Sequence, residues 1–433
     1  MAVLRLISAL CAIAAMTTCV WAGDPGVGSL LVGKQVLAVE DVRQLTLRAD
    51  GKAKGVSISP DGKYVAYLAE NQTGIELRLS KTLTGKTVTI LRQPTTDAIV
   101  QDGRPPSGIV WMLNCPDKGA SQRWLSAEEL SVAWSPDSKS FAFLAVRVEL
   151  GKGPVSEWPL YALVYSTAGA HKASLPLPEA AEVLDKLLFT PDSTRLVMNM
   201  VLNVGLETGT ISERKPVIQL VEIATGASTD IYSSNASLVG WSKSGALMCV
   251  VYTDNGKQLH AIALDGSSDQ MIVENCAEAS LCSPDGTLAV AGHSGLAVKN
   301  QLTARQDELT TNSAVSFQAW APNGNMLLYS KSESICDAAK SKKREFNSLW
   351  LSGLVPGKLD ALCVALDAED KPSCSLDCRR IAYVSQGQLY VAELALRAPS
   401  VTEKLAAGIP LTEEETRSIL MQNGKEIVLA IKM

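Results

Sequence analysis

The chain has 433 residues, of which 46% are hydrophobic and 20% are charged, and its formal net charge is −5. This balance is typical of a folded globular protein and excludes a largely disordered chain. The mild acidic charge provides no concentrated basic surface, so the sequence predicts no nucleic-acid partner. The one basic cluster, residues 340–345, is short and lies between two repeats, as a solvated loop does.

Residues 1–22 have the pattern of a signal peptide. A positively charged start is followed by an apolar run, and Val20 and Ala22 suit the −3 and −1 positions of a cleavage site. The sequence therefore predicts export to the periplasm or the medium, with cleavage near Ala22. A lipid anchor on Cys19 is the alternative. The residue before Cys19 is Thr18, however, whereas a lipidated cysteine normally follows Ala or Gly. No later stretch is long and apolar enough to predict a transmembrane segment.

A short turn between two apolar runs recurs along the chain. Its first copy is VSISPDGKYVAYLAE, residues 56–70. Successive copies are 38 to 76 residues apart, which is typical of propeller blades that carry loop insertions. The aligned turn residues are Asp61, Asp137, Asp192, Ser244, Asp285, Asn323 and Asp377.

Each turn is followed by a second hairpin, such as PVIQLVEIATGASTDIY at residues 216–232, so each unit has four strands. We therefore predict an all-β fold, a β-propeller of four-stranded antiparallel blades, that occupies residues 23–433. Seven units fit between about residues 50 and 405, with a closing hairpin at about 415–433. Eight blades are the alternative, because the tail around Asn423 could form an eighth unit completed by a strand around Leu31 to Val39.

The turn residues have a structural explanation. The proline fixes φ, the aspartate accepts backbone hydrogen bonds, and the next residue tolerates a positive φ. A calcium site at these aspartates is the less favoured interpretation. The aromatic residue before several turns is predicted to pack between blades and not to stack on a ligand. These aromatic residues are Trp134, Phe189, Trp241 and Trp320.

The copies SPDGKYVAYLAE (residues 59–70) and WSPDSKSFAFLA (residues 134–145) resemble the WD40-like repeats of TolB and of the S9 prolyl-oligopeptidase family. Residues 37–70 also resemble the entry into an S9 propeller. The resemblance covers nearly all of the mature chain and implies a propeller, but its motif marks a blade and implies no particular activity. The chain departs from both families, because it has no room for the α/β domain of TolB and no hydrolase domain is recognisable.

The motifs of catalysis are missing from the sequence. It contains no Gly-x-Ser-x-Gly nucleophile elbow, no HExxH and no phosphate-binding loop. The three histidines, His171, His260 and His293, lie in or beside predicted strands and are interpreted as structural. We therefore predict no catalytic residue, no metal and no cofactor.

Eight cysteines lie outside the signal peptide, and export makes disulfides feasible. Cys276 can pair with Cys282, and Cys363 can pair with Cys374 or Cys378, because they are close along the chain. A zinc site at the last three is the alternative, but a paired CxxC spacing and a nearby histidine are both missing.

Insertions between blades are the places where specificity is expected, because a propeller presents its loops on two faces. The longest insertion runs from about Gln93 to Leu130. It contains four residues typical of contact surfaces, namely Arg104, Trp111, Arg123 and Trp124. The alternative is a structured loop that caps one face. A second insertion, from Val146, is predicted to lie on the same face.

Three functions agree with these features. The first is an exported, non-catalytic propeller that binds a protein, a peptide or an envelope component. The second is a degenerate or split S9-peptidase relative whose catalytic domain is missing. A serine-hydrolase probe would then label a co-purifying chain and never this one. The third is a lyase or glycosidase that works in the central channel, which would need clustered carboxylates or histidines at one mouth.

Overall fold

The computed structural model describes most of the chain between residues 30 and 416. The described residues are 30–32, 35–47, 50–72, 74–94, 108–113, 132–150, 159–178, 181–183, 187–204, 213–242, 244–274, 281–282, 287–292, 295–300, 306–310, 315–320, 326–337, 342–353, 361–365, 368–369, 372–406 and 410–416. No helix in these ranges is long and apolar enough to cross a bilayer.

The described strands form seven antiparallel sheets, which we number from the first repeat. Two strands precede the first sheet, β1 (Leu30–Val32) and β2 (Gln35–Gln44). The first sheet contains β3 (Lys52–Ile58), β4 (Tyr64–Asn71), β5 (Gly74–Lys81) and β6 (Thr87–Pro94). The second contains β7 (Gly108–Met112), β8 (Ala133–Trp134), β9 (Ser140–Leu150), β10 (Leu160–Ser166) and β11 (His171–Pro176).

The third sheet contains β12 (Ala181–Val183), β13 (Leu188–Phe189), β14 (Arg195–Val204), β15 (Glu213–Glu222) and β16 (Ser228–Tyr232). The fourth contains β17 (Ala236–Trp241), β18 (Leu247–Thr253), β19 (Gly256–Ile262) and β20 (Asp269–Val273). The fifth contains β21 (Leu281–Cys282), β22 (Thr287–Gly292), β23 (Gly295–Asn300) and β24 (Gln306–Thr310).

The sixth sheet contains β25 (Val315–Trp320), β26 (Met326–Asp337), β27 (Lys342–Gly353) and β28 (Ala361–Ala365). The seventh contains β29 (Ser373–Cys374), β30 (Arg380–Ser385) and β31 (Gln388–Arg397), together with β2 and β1. A short helix, α1 (Val401–Ala406), follows the last strand.

The sheets pack face to face in a closed ring. Each sheet contacts the next one along the chain, and the seventh contacts the first through β30 and β3. Apolar side chains fill the spaces between neighbours. Leu68 of the first sheet and Phe143 of the second share one cluster, for example, and Tyr67 of the first sheet and Val384 of the seventh share another. This arrangement confirms the predicted all-β propeller of antiparallel sheets; four of the described sheets have four strands, and the second, third and seventh have five.

The repeated turn is held by one hydroxyl and one carboxylate. In the first copy the Ser59 hydroxyl donates to Asp61 Oδ1 at 2.8 Å, and the Lys63 amide donates to the same carboxylate. The Ser59 oxygen also accepts a hydrogen bond from the Tyr64 amide, the first residue of β4. The same bonds recur around Asp137, Asp192 and Asp377. The turn therefore determines the residue at which the second strand of each of these sheets begins.

The aromatic residues before the turns lie between sheets, as predicted from the repeat. The Trp134 indole donates to Ser57 Oγ of the preceding sheet at 2.9 Å, and the Trp241 indole donates to the Phe189 carbonyl at 2.8 Å. The side chain of Trp320 lies outside the described part. Tryptophan therefore contributes both apolar packing and a hydrogen bond across the sheet interface.

The seventh sheet is completed by the N-terminal strand. Strand β2 pairs antiparallel with β31, with Leu37 opposite Leu396. Arg43 also donates to the carbonyls of Thr82 and Leu83 in the first sheet. The eight-blade alternative placed a strand around Leu31 to Val39 in a unit with the tail; Val36 to Val39 pair with β31, and most of the tail lies outside the described residues. The predicted closing hairpin at about 415–433 lies outside the described residues except for its start.

Shortening a side chain in the closing strand pair should destabilise the fold at Leu37 in β2 and not at Leu396, the residue opposite it in β31. Leu37 is 4% exposed, whereas Leu396, which lies opposite it, is 38% exposed. We expect Leu37→Ala to lower the free energy of unfolding by about 2–4 kcal/mol because it leaves a cavity between the sixth and seventh sheets. Leu396→Ala should change it by about 0.5 kcal/mol or less. Urea unfolding checks both values, and equal losses would contradict this account of the closure.

The turn carboxylates should make stability depend on acid pH. The Ser135 hydroxyl holds the pKa of Asp137 below its usual value, and the Thr190 hydroxyl does the same for the pKa of Asp192. A lowered pKa stabilises the fold above the unfolded-state pKa, and this contribution is lost as the pH falls below about 4.

The double variant Asp137→Asn/Asp192→Asn should be less stable at pH 7 and lose less stability on acidification. Urea unfolding between pH 7 and pH 3 measures this difference, with the exposed turn residue Asp254→Asn as control. An unchanged acid dependence in the double variant would show that the turns do not contribute.

Candidate partner-binding surface

Three of the sheets extend beyond their neighbours at one edge. Strands β9, β14 and β26 have 11, 10 and 12 residues, whereas β4, β18 and β30 have eight, seven and six. All of these strands begin after the repeated turn, so the additional residues lie at the opposite edge. We call the ends that exceed the six-residue length of β30, residues 146–150, 201–204 and 332–337, the insertion edge, and the edge with the repeated turns the turn edge.

The first insertion contributes a strand to the insertion edge. Strand β7 pairs antiparallel with the added end of β9, from Gly108 opposite Leu150 to Met112 opposite Val146. The repeat strand β8 pairs with the other half of β9. The two insertions therefore lie side by side, in agreement with the prediction that they share a face. The sequence did not reveal that they form one sheet.

The base of the first insertion is fixed by three contacts. The Trp111 ring meets the Tyr161 ring edge-on, with 5.2 Å between centroids. The Leu113 amide donates to Gln93 Oε1 at 2.7 Å, which ties the insertion to the end of the first sheet. Leu113 is itself buried between the first and second sheets. The insertion thus has a rigid base from which its longer segments depart.

Of the four predicted contact residues, the structure places one. Trp111 is partly buried and packs against the cluster between the first two sheets. It therefore holds β7 in place, and only its exposed part is open to a partner. Arg104, Arg123 and Trp124 lie outside the described residues.

A buried carboxylate lies beside this base. The Glu76 side chain is 2% exposed and contacts Arg78 Nε at 2.8 Å and Arg92 at 2.5 Å. Burial alone would raise the pKa of Glu76, but the hydrogen bonds from the two arginines hold it below its usual value. Arg92 lies next to Gln93 in β6, so the ion pairs adjoin the anchor of Leu113. The sequence contained no signal for this cluster beyond alternating charged residues in adjacent strands.

The first strand of the third sheet is in two pieces. Strand β12 pairs with Met200 to Leu202 in β14, while β13 pairs with Leu196 and Val197, so the two together take the place that β3 has in the first sheet. Leu177 of the second sheet and Ala181 of β12 belong to one buried cluster. The start of the third sheet therefore packs against the end of the second.

The described histidines lie on the last strand of the second sheet and the third strand of the fourth sheet. His171 Nε2 is 2.9 Å from Ser174 Oγ on β11, and His260 Nδ1 is 2.6 Å from Asp269 on the fourth sheet. Burial and the Asp269 carboxylate raise the pKa of Tyr232, which donates to Asp269, to about 12. His293 lies outside the described residues. Within the described ranges, no group of three or more His, Cys, Asp or Glu side chains could hold a metal ion.

The described cysteines are thiols, Cys249 among them. The Cys363 thiol is buried and faces its own strand, 3.8 Å from the Ala365 carbonyl. The sulfurs of Cys374 and Cys378, by contrast, are 3.2 Å apart. The predicted pairing of Cys363 with Cys374 or Cys378 stays a prediction. Cys276 and the side chain of Cys282 lie outside the described part, so their predicted pairing stays a prediction.

Loss of the Gln93 anchor should loosen the insertion. In Gln93→Ala the buried Leu113 amide has no acceptor, so we expect the free energy of unfolding to fall by about 1–3 kcal/mol. Urea unfolding measures the loss, and tryptic cleavage after Lys118 and Arg123, neither of which precedes a proline, should become faster. The matched control is Gln270→Ala, on an exposed position of β20. Equal effects of the two substitutions would show that Gln93 does not anchor the insertion.

Comparison with known proteins identifies the fold and no family. No family model matches the chain, and no curated protein matches its sequence. An oligogalacturonate lyase from Vibrio parahaemolyticus aligns with a TM-score of 0.50 at 13% identity, over 85% of this chain and 96% of the lyase. An oligogalacturonate lyase in complex with manganese aligns with a TM-score of 0.50 at 14% identity, over 86% and 97%.

TolB from Acinetobacter baumannii aligns with a TM-score of 0.41 at 14% identity, over 79% of this chain and 68% of TolB. The two lyase alignments, at 13% and 14% identity, show a common fold and transfer no activity. The chain is therefore an all-β protein with the propeller fold.

Proposed function

We propose that the chain is an exported, non-catalytic propeller that binds a protein or peptide partner at the insertion edge. The observation that carries this proposal is the pairing of β7 with the added end of β9. It builds a rigid platform beyond the blade, fixed to the first sheet through Gln93. Binding residues are commonly presented by loops that a rigid scaffold positions.

The chemistry of the platform fits an extended polypeptide. Strand β7 pairs along one side only, as the first and last strands of the other described sheets do, and it continues the line of the innermost strand β8 beyond the blade. An unpaired strand edge offers main-chain donors and acceptors, and an extended peptide can add to it as a further strand. Arg104, Arg123 and Trp124 supply the side-chain contacts, since Arg and Trp dominate binding energy at protein interfaces.

Two finer features belong to the same proposal. The propeller has seven blades, with β2 as the strand that closes the ring, and cleavage after Ala22 leaves Gly23 as the mature N-terminus. Intact mass measurement of the protein from its own host's envelope or secreted fraction tests the cleavage. A mass that retains residues 1–22 would contradict it.

The partner is tested by native mass spectrometry of the tagged chain purified from that fraction. We expect a second polypeptide or peptide in stoichiometric amount. The triple variant Arg104→Ala/Arg123→Ala/Trp124→Ala should bind it at least about tenfold more weakly, since a few Arg and Trp anchors carry most of the binding energy. Its melting temperature should stay that of the wild type.

The matched control removes two cations and one large apolar side chain from the turn edge. It is Lys63→Ala/Lys139→Ala/Leu376→Ala, all at exposed positions. We expect this variant to bind the partner normally. Loss of binding in the control alone would move the site to the turn edge, and a bare chain in every preparation would contradict the binding proposal.

A further inference from the structure

The turn of the seventh sheet differs in composition from the other described turns. Its frame is the usual one, with the Ser375 hydroxyl donating to Asp377 Oδ1 at 2.7 Å. Cysteines occupy the two positions that flank this frame, Cys374 and Cys378. Other residues hold the corresponding positions in the other described turns, namely Ile58 and Gly62, Trp134 and Ser138, Phe189 and Ser193, and Trp241 and Gly245.

The frame itself brings the two sulfurs together. The Cys378 amide donates to the Ser375 carbonyl at 2.9 Å, and the Cys378 φ of 54° lies in the left-handed region. Ser138 and Ser193 adopt nearly the same φ, 57° and 63°, so Cys378 has the ordinary backbone of this turn. With this backbone the Cys374 and Cys378 sulfurs are 3.2 Å apart. A bond between them requires little movement of the main chain.

Two other described cysteines lie on different sheets from this turn. Cys363 lies on β28 of the sixth sheet with its thiol directed at the Ala365 carbonyl, and Cys249 lies in β18 of the fourth. Cys378 is 1% exposed, whereas Cys374 keeps partial exposure. An oxidant can therefore reach the pair through Cys374.

We propose that Cys374 and Cys378 form a disulfide that closes the turn of the seventh sheet. The oxidant is a disulfide, either oxidised glutathione or the disulfide of an oxidoreductase. The Cys374 thiolate attacks one of its sulfurs, which releases the other as a thiolate. The Cys378 thiolate then attacks Cys374 Sγ in the mixed disulfide. The products are the 374–378 bond and two thiols of the reduced oxidant, so two electrons and two protons leave the protein.

The position of the turn gives this bond a structural role. The Leu376 amide, inside the loop that the disulfide closes, donates to the Pro60 carbonyl of the first sheet at 2.7 Å. Ser373, just before it, accepts a hydrogen bond from the Ile58 amide at 3.0 Å. The disulfide therefore stiffens the turn at the seam between the last and the first sheet. The hydrogen bond to Cys378 and burial raise the pKa of Cys374, so exchange should be faster in alkaline solution.

Peptide mapping tests the proposal on the full-length protein. The purified chain is reduced, equilibrated with oxidised glutathione at pH 8.5, alkylated after denaturation, and digested with trypsin. Because Lys371 precedes a proline, Cys363, Cys374 and Cys378 fall in one tryptic peptide, residues 359–379. We expect this peptide to carry one alkyl group, on Cys363, and an internal disulfide that lowers its mass by about 2 Da.

Two variants distinguish this bond from a pairing of Cys363. In Cys363→Ser the disulfide should remain. In Cys378→Gly, which restores the residue found at the same position of the first turn, the disulfide should disappear while the fold is kept. The oxidised wild type should also melt about 2 °C above the reduced protein, and Cys378→Gly should show no such difference.

Alkylation of all three cysteines after oxidation would overturn the proposal. Disappearance of the disulfide in Cys363→Ser, with its persistence in Cys378→Gly, would also overturn it and assign the bond to Cys363. These outcomes do not depend on any binding partner.

Discussion

The hydrogen bond between a turn hydroxyl and the carboxylate two residues later is the contact on which the rest of the propeller depends. This pair fixes the backbone in the turns around Asp61, Asp137, Asp192 and Asp377. In each of them the hydroxyl oxygen also accepts a hydrogen bond from the backbone amide five residues later. The second strand of each of these sheets therefore begins at the same point. Variation in strand length can then appear only at the opposite edge, where β9, β14 and β26 extend.

The two edges of the ring are consequently under different constraints. At the turn edge, one turn contacts the next, because the backbone amide of Asp61 donates to Ser138 Oγ of the second sheet at 3.0 Å. At the insertion edge, added strands such as β7 join a sheet without disturbing the repeat, because they pair with residues beyond the blade. This separation allows the fold to keep its core while the sequence of its insertions varies, which is the usual relation between scaffold and binding loops.

Features that depend on neighbouring residues could be predicted from the sequence, and features that depend on distant residues could not. The turns, the strand that follows each of them and the packing of Trp134 and Trp241 are encoded within a few residues. The pairing of β7 with β9 and the ion pairs of Glu76 join separate strands, so no local pattern indicates them. The contact of Cys374 with Cys378 is local, but only the positive φ of the turn reveals it. The prediction that Arg104, Arg123 and Trp124 contact a partner depends on the composition of the insertion alone.

The pairing of β2 with β31 has a consequence for the order of folding. These strands come from opposite ends of the described chain. During synthesis, β2 can therefore pair only after β31 has been made. Until β31 is available, the apolar face of β2 around Leu37 has no partner and remains a hazard for wrong association. Contacts between distant parts of a chain also slow folding. A chain that crosses a membrane from its N-terminus would therefore close its ring only after nearly all of it has arrived on the other side.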